Sequence, residues 1–219
     1  QDFLPALPRQ AYLLGELTAC PQALRLFPRR YLFSSRFYPL QLFDRLTAFG
    51  LLPTALPPRG SVGVTAVETA LRMTRGPVLL AGLDFAYPGH QSHARGAPAH
   101  RGMLHGTRRL LPAGMVGFEA ILARPRLWLP ARGPGRLLSD LVLQQYAQQL
   151  RRVIAESGAA RVFDIGGLGL DCGARPLGSC DEAEQVCLMA SAPGSPAPPA
   201  AASAPASASA PARAPRAEA

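Results

Sequence analysis

The chain has 219 residues, a formal net charge of +9 and a hydrophobic fraction of 48%, enough for one domain of ordinary size with a real core. All 23 basic residues are arginine, with no lysine or asparagine anywhere, and only Arg29-Arg30, Arg108-Arg109 and Arg151-Arg152 are adjacent. Such scatter fits a coding bias more easily than a dedicated nucleic-acid surface, where basic residues cluster with aromatics between them; no apolar run reaches the roughly 18 residues a membrane helix needs.

In chain order, Gln10 to Ala19 is predicted as a short helix stopped by Pro21, and Tyr31-Leu32-Phe33 as a brief strand. Leu40, Leu42, Phe43, Leu46 and Phe49 recur at near-helical spacing up to Gly50, and the proline-rich 51–58 is a connection. Gly60-Ser61-Val62-Gly63 then leads into a helix over Val64 to Met73, with Val64, Val67, Ala70 and Leu71 on one stripe and Gly76-Pro77 as its break. The continuous apolar run Val78 to Leu83 reads as a central strand covered on both faces, with Asp84 at its end. Residues 87–105 are polar, glycine-rich and aperiodic, and read as one long loop. Leu137 to Ser157 is the most strongly patterned helix, with Gly158 as its stop. Val162 to Ile165 is the last strand, turning at Gly166-Gly167, and Trp128 sits in a connecting segment.

Alternating helices and strands predict an α/β layered fold. Residues 1–189 form that domain, and 190–219, almost wholly Ala, Pro and Ser, are expected to be a disordered tail that cannot bury enough apolar surface to order itself. Cys20, Cys172, Cys180 and Cys187 form no C-x-x-C pair, and no secretory signal opens the chain, so reduced thiols in a cytoplasmic protein are expected.

Three features bear on chemistry. Gly60, Ser61, Val62, Gly63 and Thr65 form a glycine-containing turn at a helix start, where free N–H groups, the helix dipole and two hydroxyls suit an anion. The same residues also suit an ordinary helix cap. Asp84, just past a central strand, stands where α/β sheets bind ligands, and its carboxylate could hold a metal, a ribose hydroxyl or a proton; it could equally cap the next turn. His90, His93, His100 and His105 lie within sixteen residues, at spacings unsuited to a metal cage. His93 is singled out as a general acid or base because Arg95 beside it could contact phosphate.

The blocks Arg-Gly-Ser-Val-Gly-Val-Thr-Ala-Val-Glu-Thr-Ala-Leu (59–71), Pro-Val-Leu-Leu-Ala-Gly-Leu-Asp-Phe-Ala-Tyr-Pro (77–88) and Ser-His-Ala-Arg-Gly (92–96) together resemble the MptE-like domain. That family includes archaeal 6-hydroxymethylpterin diphosphokinases and bacterial motility-associated factors that glycosylate flagellin. Phe163 to Leu170 is similar to the family's closing strand and glycine turn. Leu83 replaces the family's usual Gln and Ser92 its Thr, and the family's Gly-x-Gly-Pro-Ser-Leu turn is absent, which implies the carboxyl-terminal part of the domain. The resemblance implies a three-layer Rossmann-like sheet with helices on both faces, incomplete at its amino-terminal side. It also implies a transferase using a nucleotide-activated donor, with no tightly bound cofactor: a CMP-sugar, with flagellin as acceptor, or ATP with Mg, with a pterin as acceptor. In that scheme Gly60, Ser61, Val62, Gly63, Thr65 and Arg95 contact nucleotide phosphate, while Asp84 and His93 are catalytic, Asp84 also being a possible metal ligand. The alternative is a degenerate, non-catalytic nucleotide-binding or protein-interaction module.

Overall fold

The computed structural model describes residues 10–35, 41–94, 96–157 and 159–191. Leu40, Arg95, Gly158 and the tail beyond 191 fall outside the described residues.

The fold is a mixed helix-and-strand α/β arrangement whose described strands form three small open sheets. Strands β1 (Tyr12–Glu16) and β2 (Arg29–Phe33) pair in parallel, joined by α1 (Pro21–Arg25). Helix α2 (Gln41–Ala48) follows, and then α3 (Val62–Met73). The second sheet has β3 (Val78–Leu80), β6 (Val162–Asp164) and β7 (Arg175–Pro176), all parallel, with β6 central. Between them lie α4 (Pro98–His105), α5 (Ala113–Leu122), the antiparallel hairpin β4 (Arg126–Pro130) and β5 (Arg136–Asp140), and α6 (Leu141–Ser157). Helix α7 (Cys180–Ser191) closes the described chain. Among the described residues no helix is long and apolar enough to cross a membrane.

The core is built where the sequence periodicity is clearest. Val64, Val67 and Leu71 of α3 interlock with Leu150, Val153 and Ile154 of α6, over Val78, Leu80 and Val162 of the three-stranded sheet. Val64, Leu150 and Val162 are completely buried, and each such side chain contributes about 1.5–3 kcal/mol. Helix α3 carries the predicted stripe, and Arg161 ties its end down by donating to the carbonyls of Leu71 (2.7 Å) and Thr74.

Six local expectations are corrected. Tyr12–Glu16 is a strand rather than part of a helix over Gln10 to Ala19, because parallel pairing from Tyr12↔Arg29 to Glu16↔Phe33 overrides a weak local preference. The helix begins only at Pro21, a residue preorganised for the first helical position. Residues 137–140 belong to β5, and the helix starts one residue after Asp140, whose Oδ1 accepts the amide of Leu143 at 2.8 Å. The long loop 87–105 contains a 3₁₀ turn, Pro88–His90, and helix α4, again opened by a proline. Strand β3 stops at Leu80, since Gly82 takes φ +74° and Phe85 φ +51°, both left-handed. The strand Val162–Asp164 is not the last, because β7 pairs with it, and Trp128 lies within β4.

Candidate functional site

Asp84 lies just beyond β3, beside the carboxyl end of β6, whose last residue is Asp164. The Gly166-to-Gly169 turn closes over it. The amide of Leu170 donates to the Asp84 carbonyl at 2.8 Å, and Gly169, at φ +127°, leaves no room for a Cβ, which would lie 2.8 Å from the Asp84 backbone. Both the conformation and the close approach require glycine here. Gly169→Ala is therefore expected to cost more than about 2 kcal/mol in chemical unfolding and to displace Asp84; an unfolding midpoint equal to wild type would contradict that packing.

Behind Asp84 is a buried ion pair, Arg132 Nη1 to Asp164 Oδ2 at 2.5 Å, with side-chain exposures of 8% and 2%. Arg132 reaches in from the β4–β5 turn, where Nη2 also donates to the Leu170 carbonyl at 3.1 Å. Asp164 Oδ1 accepts the Gly166 amide at 2.6 Å. Burial, followed by the Asp164 charge, pushes the Asp84 carboxyl above its ordinary range, and Arg132 only partly opposes this. A carboxyl so placed takes up a proton more readily than an exposed one.

A cleft of about 710 Å³ opens in front of Asp84, and Ser61 and His93 line it together with Asp84. Three of the sequence-predicted residues thus meet in one place, drawn from the start of α3, the end of β3 and the segment before α4. His93 is exposed, its Nδ1 lying 3.2 Å from Ser92 Oγ. His90 is instead set edge-on to the rings of Phe118 and Trp128. The Gly96 amide donates to His100 Nδ1 at 3.4 Å.

The rest of the glycine turn goes elsewhere. Gly60, Val62 and Thr65 line a separate cavity of about 670 Å³ between α3 and β1–β2, which shares Ser61 with the first. Ser61 Oγ accepts the Val64 amide at 3.5 Å, and the Thr65 hydroxyl donates to the Ser61 carbonyl at 3.1 Å, so both hydroxyls serve the helix start. Gly63 lines neither cavity; a Cβ there would meet the Leu83 side chain at 2.7 Å. Arg59 is engaged by Glu68 at 2.8 Å, and Arg72 holds the other Glu68 oxygen at 2.7 Å. Burial works against ionisation of Glu68, but these two guanidinium groups outweigh it and keep the carboxyl below its usual range.

The cleft also contains residues that sequence reading passed over. Tyr87 donates to Asp140 Oδ2 at 2.6 Å, and Arg124 Nη1 approaches the same oxygen at 3.2 Å. Asp140 is buried; burial opposes its charge, but the Tyr87, Leu143 and Arg124 donors prevail and hold its carboxyl low. Asp140 had a readable signal, an acidic residue just before a strongly periodic helix. Arg124 had none, because its partner lies sixteen residues away on another element. Among the described residues no cluster of three or more His, Cys, Asp or Glu side chains is placed to hold a metal.

What fold and site define is an α/β domain with a mostly apolar cleft, carrying a few polar side chains, at the ends of parallel strands. No family model matches the chain, and no solved structure matches it. It is similar to an uncharacterized protein of Treponema pallidum (strain Nichols), at 32% identity over 114 residues, covering 50% of this chain and 20% of that protein. The chain thus spans about a fifth of that relative's length.

Proposed function

We propose that this is a Rossmann-like transferase domain, of the MptE-like type, acting on a nucleotide-activated donor. The observation that carries the reading is the meeting of Ser61, Asp84 and His93 in one cleft at the carboxyl ends of parallel strands, the position where α/β sheets bind nucleotides. The start of α3 at Ser61 faces the donor phosphate, with Arg95 assigned the same role. Asp84 takes the proton of an acceptor hydroxyl as its oxygen attacks the donor. His93 meets the leaving group as the bond to it breaks.

Two reactions fit. In the first, the hydroxyl of a flagellin side chain attacks the anomeric carbon of a cytidylyl nonulosonate, and CMP leaves with the bonding electrons. In the second, the hydroxyl of a pterin alcohol attacks the β-phosphorus of ATP, and AMP leaves. Magnesium suits the second: nucleotide-borne Mg needs only one or two protein carboxylates, and Asp84 can supply one while Asp164 is held by Arg132. A cytoplasmic setting suits both donors. The folded unit is assigned to 1–189, with 190–219 as a tail.

A second reading, a non-catalytic nucleotide-binding or protein-interaction module, is favoured by one observation: the Ser61 and Thr65 hydroxyls are both committed to the helix cap. Thermal-shift titration with CMP, CDP and ATP tests both. The transferase reading expects stabilisation by at least one nucleotide and its loss in a Ser61→Pro variant whose fold is verified by circular dichroism. No shift with any nucleotide would leave the interaction module as the better account.

A further inference from the structure

We infer that Arg124 is the anion anchor of the Asp84 cleft, binding a phosphate group of the ligand with a guanidinium that Asp140 and Tyr87 hold in position. This deepens the reading of the cleft as a nucleotide site and rests on it. Arg124 follows the end of α5 and lines the cleft, and its side chain is 56% exposed, so a ligand can reach it. A guanidinium carries five N–H donors in a planar fork suited to two phosphate oxygens. Arg124 commits one nitrogen, Nη1, to Asp140 Oδ2 at 3.2 Å.

A purely structural ion pair explains this arrangement less well. Asp140 is already satisfied without Arg124. Its Oδ2 accepts the Tyr87 hydroxyl at 2.6 Å, its Oδ1 accepts the Leu143 amide at 2.8 Å, and it sits at the amino-terminal end of α6, whose dipole favours negative charge. The longest of the three contacts is the one to arginine. Asp140 therefore fixes the direction of the guanidinium while engaging only its Nη1. Across the cleft, Asp84 is the one carboxylate among the lining residues, while Ser61, Ser92 and His93 add polar groups. The cleft thus pairs a proton-accepting carboxyl with an oriented cation, the set required to hold a phosphate beside a reacting hydroxyl. Tyr87, within the block that carries the family resemblance, acquires a role as a positioning residue acting through Asp140.

The test is calorimetric titration of the full chain with pyrophosphate, CMP, ATP and the matching nucleosides. Wild type, Arg124→Ala, Arg124→Gln, Arg124→Lys and Tyr87→Phe are compared, each checked for folding by thermal melting. The expected result is that both neutral variants bind the phosphate-bearing ligands about tenfold or more weakly, with nucleoside binding unchanged. Lysine restores part of the affinity, and Tyr87→Phe gives a smaller loss confined to the same ligands. Nucleotide binding that is unchanged in Arg124→Ala and Arg124→Gln overturns the anchor while leaving the nucleotide reading intact. Pyrophosphate binding that depends on Arg124, with no added affinity from any nucleoside portion, supports the anchor and removes the nucleotide reading. If wild type binds none of these ligands, both fall.

Discussion

Arg132→Ala is expected to be the most destabilising single change outside the apolar core, costing about 3–5 kcal/mol. The reason is the partner left behind. Asp164 has only 2% of its side chain exposed and lies at the end of the central strand β6. With Arg132 gone, the Asp164 carboxylate keeps the Gly166 amide at 2.6 Å, which cannot compensate a buried charge. The loss extends to the loop after β6, because the Arg132 Nη2 also donates to the Leu170 carbonyl at 3.1 Å, while the main-chain bond from residue 132 to the Gly169 carbonyl is kept by alanine. Urea unfolding followed by circular dichroism measures this directly, and a loss below about 1 kcal/mol would show that the pair is open to water. A double variant, Arg132→Met with Asp164→Leu, should recover much of the stability, since replacing both members of a buried pair by apolar residues is often neutral or better. That recovery distinguishes the cost of a stranded charge from the cost of lost packing.

The same cluster shows what the sequence could and could not reveal. Helices α3 and α6 were legible because their apolar stripes are long, and what the stripes bury, Val64, Val67 and Leu71 against Leu150, Val153 and Ile154, is what the pattern encodes. Strand β3 and its trailing Asp84 were legible for a similar reason, a continuous apolar run ending in a charge. Strand β1 was not. Its five residues carry no signal strong enough to outvote helix propensity, and its identity comes from a parallel partner more than ten residues downstream. The division of Leu137 to Ser157 into strand and helix was hidden because Leu137 and Leu138 extend the helical stripe by coincidence. Only Asp140, read as a cap, marks the boundary.

Within the site, residue types adjacent in sequence were overvalued and contacts made at long range were missed. Gly63 resembles part of a phosphate cradle, yet its missing side chain makes room for Leu83, the very position at which the chain departs from the family text. Arg59, which opens the same block, neutralises a buried Glu68. The guanidinium groups that matter here, Arg124 lining the cleft and Arg132 paired with Asp164 behind Asp84, are distant in sequence from Asp84. Nothing local separates them from the other arginines of a chain that uses no lysine.

Asp84→Asn carries the largest expected effect on activity, and stability should move the opposite way. In the proposed role of proton acceptor, Asp84 would account for about 100- to 10,000-fold in transfer rate, and asparagine of the same shape cannot accept a proton. Its carboxyl is raised in the folded state by burial and by the nearby Asp164 charge. A raised carboxyl favours the folded state while protonated, and that advantage disappears as pH climbs through the folded value. At neutral pH the ionised Asp84 is therefore a burden on the fold, and the neutral amide removes it. Asp84→Asn should melt higher than wild type near pH 7, and the difference should shrink as pH falls towards the ordinary carboxylate range, where both side chains are uncharged. Thermal melts at a series of pH values, beside transfer assays on the same protein, make the comparison. A variant that loses both activity and stability would assign Asp84 a structural part, as a hydrogen-bonding turn residue. One that keeps its activity would remove the proton-accepting role, whatever its melting point. Only loss of rate together with gain of stability fits a carboxylate held against its preference at a reacting centre.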